Sequence, residues 1–124
     1  MRRGDDQGRQ RDPAAAWSSR IERPREVARG EPVEIVVDGR PLGAFLGESV
    51  AAAILASGRR SIRFSANRGE PRGLFCGIGL CQECLMIIDG APNQRACMTP
   101  VRAGLKVQTQ TGRGVASSAE VPDR

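Results

Sequence analysis

Between residues 73 and 84 the chain reads Gly73-Leu74-Phe75-Cys76-Gly77-Ile78-Gly79-Leu80-Cys81-Gln82-Glu83-Cys84, and one further cysteine, Cys97, follows. The spacing is C-x4-C-x2-C-x12-C, and these are all the cysteines the chain has. Three thiols within nine residues are too crowded for a disulfide framework outside the setting of a small secreted protein. Cys81-Gln82-Glu83-Cys84 also lacks the preceding strand and following helix of a thioredoxin-like redox pair. Metal ligation is the reading left. The donors are sulfur alone, because the chain contains no histidine. That removes His-ligated metal and haem sites, Rieske-type clusters, Ser-His-Asp triads and Cys-His pairs together.

The first interval separates the remaining possibilities. Structural zinc sites usually take their cysteines from two C-x2-C knuckles, whereas C-x4-C-x2-C with a distant fourth cysteine is the spacing of plant-type [2Fe-2S] sites. Three thiolates then come from one wrapping loop and the fourth from the hairpin that follows. Cys76, Cys81, Cys84 and Cys97 are the expected ligands, with a four-cysteine zinc site as the alternative. Gly77 and Gly79 are expected to let backbone N–H groups approach the sulfurs, since glycine takes backbone routes closed to other residues. A four-thiolate cluster is anionic, becomes more so on reduction, and needs such donors. Arg72 and Arg95 flank the first and last ligands and would favour the reduced state, whereas Glu83 would oppose it.

Upstream, Val33, Ile35 and Val37 alternate with Glu34, Val36 and Asp38. Asp38-Gly39 then supplies the positive φ angles of a tight turn before an apolar run over residues 42–46. This predicts a β-hairpin, with Pro41 restricting its second strand to a sheet edge. Ser49 is a good N-cap for a helix over residues 50–57, with Gly58 as a left-handed stop and Val50, Ala53, Ile54 and Ser57 on one face. A short strand is expected around residues 62–64. Downstream, Leu85–Ile88 reads as a buried strand and Asp89-Gly90-Ala91-Pro92 as a turn. Residues 95–99 read as the returning strand and residues 105–109 as the last one. Two hairpins flanking one helix predict an α+β fold, a small mixed sheet curled around its helix.

The 124 residues carry 19 Lys plus Arg against 14 Asp plus Glu, a net charge of +5, and all the basic residues but Lys106 are arginine. Residues 1–30 hold eight Arg and five acidic residues, so the excess is mild in both parts of the chain. With no basic run interleaved with aromatics, no nucleic-acid partner is expected, and the arginine preference is what a GC-rich genome produces. The aromatic residues are Trp17, Phe45, Phe64 and Phe75, so the core must rest on Val, Ile, Leu and Ala and calls for reinforcement. No run of 18 apolar residues encodes a transmembrane helix, and Arg2-Arg3 leads into Gly4-Asp5-Asp6 rather than an apolar export segment. A reducing cytoplasm is the expected compartment. Residues 1–31 read as a basic flexible tail, with a partner-docking arm carrying Trp17 as the sharper alternative. Residues 32–110 read as the folded domain and residues 111–124 as a second flexible tail.

Four segments carry a family resemblance: Asp38-Gly39-Arg40-Pro41, the helix start Gly47-Glu48-Ser49-Val50-Ala51-Ala52-Ala53, the run from Gly69 to Cys84, and Arg95-Ala96-Cys97-Met98-Thr99-Pro100-Val101-Arg102. Together they resemble the small (2Fe-2S)-binding subunits of flavin-dependent amino-acid and imino-acid dehydrogenases. The group includes hydrogen cyanide synthase, opine oxidase and hydroxyproline dehydrogenase small subunits and the N-terminal part of sarcosine oxidase α chains. The resemblance runs from about Ile21 to Gln110. It implies a β-grasp, 2Fe-2S ferredoxin-like fold, with Cys76 and Cys81 on one iron and Cys84 and Cys97 on the other. It also implies a non-catalytic electron-transfer subunit that accepts electrons from an FAD-containing dehydrogenase or oxidase large subunit. The assembly would be a cytoplasmic hetero-oligomer, with any membrane association made through partners. FAD is expected on the partner, since no Gly-x-Gly-x-x-Gly opens a helix here. The ligand positions are all filled, unlike in sarcosine oxidase α chains, where the corresponding domain lacks them. A free-standing ferredoxin is the alternative; such proteins are usually acidic, and this chain at +5 is not.

Overall fold

The computed structural model describes residues 28–112 and 114–116. Residues 1–27, which include the Trp17 arm, Arg113 and residues 117–124 of the second expected tail lie outside the described residues.

Strands β1 (Pro32–Val37) and β2 (Arg40–Phe45) form the predicted antiparallel hairpin. Its two-residue turn is Asp38-Gly39, with φ of 49° and 80°. Positive φ at both positions gives the turn a twist that matches the flanking strands. β2 lies at the sheet edge, where the missing N–H of Pro41 costs little. Helix α1 (Val50–Ala56) begins at Ser49, whose Oγ accepts the N–H of Ala52 at 3.0 Å, and the chain turns away at Gly58, φ 97°. The helix buries Val50, Ala51, Ala53 and Ile54. Each large side chain taken fully out of water, as Val50 and Ile54 are, contributes about 1.5–3 kcal/mol.

The remaining strands are β3 (Arg63–Phe64), β4 (Pro71–Arg72), β5 (Leu85–Ile88), β6 (Ala91–Arg95), β7 (Lys106–Thr111) and β8 (Val115–Ala116). β7 is the hub. It pairs in parallel with β1 at Lys106–Val107 and with β3 at Gln110–Thr111. It also pairs antiparallel with β5 at residues 107–109 and with β8 at Gln110–Thr111. Beyond the last β1–β7 pair, Val37 with Val107, Asp38 continues the contact between them. Its carboxylate accepts the backbone N–H of Thr109 at 2.7 Å and the Thr109 hydroxyl at 2.5 Å. Arg59 closes the junction, donating to Asp38 at 3.1 Å, to Thr109 Oγ1 at 2.5 Å and to the Ser61 carbonyl at 2.8 Å.

The sheet curls as a half-barrel around α1, the β-grasp arrangement, over a core of Ile35, Val37, Val50, Ile54, Ile62, Met86, Leu105 and Val107. Phe64 is the one buried aromatic among the described residues, so aliphatic side chains carry the interior as the composition requires. No helix among the described residues is long and apolar enough to cross a membrane.

The second hairpin departs from the sequence reading. Its turn is Asp89-Gly90 alone, with φ of 50° and 83°, so Ala91 and Pro92 already belong to β6. Pro92 is tolerated because β6 pairs only with β5 and its outer edge needs no donor. The strand consequently ends at Arg95, and residues 96–98 form a 3-10 turn in place of the expected strand over 95–99. β7 extends to Thr111, and β4 and β8 are two-residue strands without a sequence signature.

Candidate metal centre

The four cysteines come from three places in this frame. Cys76 and Cys81 lie in the irregular loop between β4 and β5, Cys84 immediately precedes β5, and Cys97 sits in the 3-10 turn after β6. The second hairpin brings the last two together, with the Ala96 N–H bonded to the Cys84 carbonyl at 2.9 Å. The 3-10 turn is in turn fixed to the start of α1, because the Val50 N–H reaches the Thr99 carbonyl at 2.8 Å and the Val101 N–H reaches the Glu48 carbonyl at 3.0 Å. The end of β6, the 3-10 turn and the helix start thus hold Cys97 against Cys84.

Backbone amides converge on the sulfurs. Cys76 Sγ accepts from Cys81 N–H at 3.3 Å and Ile78 N–H at 3.4 Å, Cys81 Sγ from Glu83 N–H at 3.4 Å, and Cys84 Sγ from Cys97 N–H at 3.5 Å. The amides of Cys81 and Ile78 hold the Cys76 thiol well below its ordinary range, at about 6, since a donor stabilises a thiolate. Burial acts the other way on Cys84, whose thiol is pushed up. Gly77 and Gly79 have φ of 70° and 82°, which bends the loop so that the amides after them face inward. At Gly79 a Cβ would also stand 2.9 Å from Met98 Cγ, so any side chain there would have to displace that of Met98.

Arginines grip the Cys81–Cys84 segment from three strands, a feature the sequence reading did not include for Arg63. From β3, Arg63 donates its Nε–H to the Glu83 carbonyl at 2.9 Å and pairs through Nη2 with the Glu83 carboxylate. Arg72, from β4, reaches the other oxygen of that carboxylate at 3.3 Å. From the end of β6, Arg95 donates its Nε–H to the Cys81 carbonyl at 3.1 Å. Arg63 had no local signal, being separated by 20 residues from the carboxylate it binds.

All four thiols are free, and they sort into two neighbouring pairs, Cys76 with Cys81 and Cys84 with Cys97. A structural zinc ion requires four donors about 2.3 Å from one point, whereas a [2Fe-2S] cluster takes two sulfurs on each of two irons. Among the described residues no three His, Cys, Asp or Glu side chains gather as a single-ion site. Paired soft thiolates with amide donors fit the dinuclear group. Around them the loop is apolar and open, with Phe75 80%, Leu80 77%, Ile78 64% and Met98 60% exposed.

Residues 30–112 match the family described as the 2Fe-2S iron-sulfur cluster binding domain. Hydrogen cyanide synthase subunit HcnA of Pseudomonas aeruginosa is 42% identical over 79 residues, covering 64% of this chain and 75% of that protein. Sarcosine oxidase subunit alpha of a Corynebacterium species is 35% identical over 104 residues, which cover 77% of this chain but 11% of the relative. Among solved structures, L-proline dehydrogenase from P. horikoshii superposes with a TM-score of 0.59 at 27% identity, over 75% of this chain and 18% of that one.

Proposed function

We propose, from the premise that the chain belongs to the 2Fe-2S iron-sulfur cluster binding domain family, that it is the electron-transfer subunit of a flavin-dependent dehydrogenase acting on an amino acid, imino acid or opine. Cys76, Cys81, Cys84 and Cys97 are the ligands in this reading, Cys76 and Cys81 for one iron, Cys84 and Cys97 for the other. A bound [2Fe-2S] cluster supplies one-electron chemistry, taking and giving electrons singly. Oxidation of a C–N bond releases two electrons, so an FAD-bearing partner stands between substrate and this chain. The chain's own part is to bring the sulfurs together, direct amides at them and present the loop to that partner.

The observation that carries the reading is the sorting of four free thiols into two amide-supported pairs on an exposed apolar loop. The relatives support the setting, being named as subunits of hydrogen cyanide synthase and sarcosine oxidase. The test is purification of a tagged chain without oxygen. Two irons and two sulfides per chain, a rhombic paramagnetic signal only after reduction, and a co-purifying flavoprotein are expected. One zinc and no visible absorbance would sink the cluster. A loaded chain that binds no flavoprotein and exchanges electrons with several unrelated partners would make it a free-standing ferredoxin.

A further inference from the structure

Among the described residues, ion pairs join Arg59 to Asp38, Arg63 and Arg72 to Glu83, and Arg102 to Asp89. Arg95 belongs to none of them. It is half-buried at the end of β6, two positions before Cys97, with its Nε–H on the Cys81 carbonyl. Its charge is therefore held beside the Cys81 peptide, inside the cysteine loop. A carbonyl needs only a neutral donor. A half-buried guanidinium with no carboxylate beside it brings an unneutralised positive charge to the cysteine loop. A centre held by the four cysteines is anionic, and this cation would act on it. Arg63 and Arg72, by contrast, share the Glu83 carboxylate, which cancels part of their field.

We propose that Arg95 is a positioning residue that also sets the redox poise of the centre, its unshared charge favouring the more negative, reduced form. This rests on the assignment of the four cysteines as ligands. Reduction here makes and breaks no bond: one electron passes from the reductant, which is oxidised, and the centre gains one negative charge. Removing a nearby cation therefore moves the equilibrium toward the oxidised form, by an amount set by screened Coulomb attraction.

The test uses the full chain loaded with iron and sulfide, equilibrated without oxygen against a one-electron viologen dye poised with dithionite. Iron and sulfide are counted first, and the reduced-to-oxidised ratio is read by absorbance and paramagnetic resonance. Arg95→Gln keeps an amide donor but removes the charge, and its ratio should fall about tenfold at fixed ambient potential, equivalent to about 59 mV for one electron. Arg95→Lys keeps the charge and should stay within about threefold of the parent. An Arg95→Gln ratio equal to the parent's overturns the inference, as does an Arg95→Lys ratio that falls as far as that of Arg95→Gln. Failure of both Arg95→Gln and Arg95→Met to assemble a centre overturns it in favour of a purely structural role. A parent chain without iron and sulfide overturns the ligand assignment and this inference with it.

Discussion

Replacing Arg63 by Met should loosen the metal centre without touching a cysteine. Arg63 is 16% exposed and binds both the carbonyl and the carboxylate of Glu83, itself 27% exposed, so it fixes the peptide between Cys81 and Cys84 from the β3 side. A hydrogen bond from a charged donor to a carbonyl contributes about 1.5–3 kcal/mol. The ion pair retains solvent contact and adds about 0.5–1 kcal/mol after screening. Loss of the pair of contacts therefore costs the closed loop roughly 2 kcal/mol at the low end. Release of the centre requires the loop to open, and 2 kcal/mol raises the open population about 30-fold. The assay is bleaching of visible absorbance in excess chelator, without oxygen, where Arg63→Met should run about 30-fold faster than the parent. Arg72 is 44% exposed with one contact at 3.3 Å, so Arg72→Met should change the rate by less than about threefold. Bleaching of Arg63→Met at the parental rate would refute the reasoning, and equal acceleration by the two variants would show that the charge of Glu83, not its carbonyl, is what matters.

Cys97→Ser should lower both cluster content and the protease resistance of residues 33–110, because a thin aliphatic core relies on the centre as a staple; a variant that loses iron yet resists trypsin would show that the core suffices. Gly73→Ala places a Cβ 2.6 Å from the Arg60 carbonyl oxygen and should reduce iron per chain, whereas Gly43→Ala, with nothing within 4 Å of its Cβ, should leave it unchanged. Asp38→Asn removes charge and acceptor capacity at the β1–β7 junction and should lower the thermal midpoint of the loaded chain by about 4–8 °C, for a loss of about 1 kcal/mol. Ile78→Glu and Leu80→Glu, on the open rim of the loop, should slow reduction by the flavoprotein partner while leaving the spectrum of the isolated chain as it was.

What the chain declares locally was readable from it. The C-x4-C-x2-C interval, the Asp38-Gly39 turn, the Ser49 cap and the Gly58 stop each act within a few residues, and the family, the first hairpin and α1 all follow from them. The second hairpin slipped because Ala91-Pro92 reads as turn chemistry, while Asp89 at φ 50° had already completed the reversal with Gly90. Pro92 could join a strand only because that strand is an edge, a property of the whole sheet. The bonds between Asp38 and Thr109 span 71 residues and that of Arg95 to Cys81 spans 14, so neither leaves a periodicity to detect. β4 and β8, two residues each, are strands only because neighbours present open hydrogen-bonding edges.

The central place of β7 has a consequence for how the molecule comes into being. Synthesis runs from the amino end, and β1, β3 and β5 all leave the ribosome before the strand on which each must pair; Val36 waits for Lys106. Such long-range pairing makes folding slow and leaves strand edges bare while the nascent chain grows. The cysteines all precede Lys106 in the chain. The thiols are therefore made before the strand that closes the scaffold, and until that strand pairs any iron delivered meets an unformed site. Cluster delivery is therefore expected after β7 has paired, and a chain cut just before Lys106 would keep every thiol but lack the strand that joins its two hairpins.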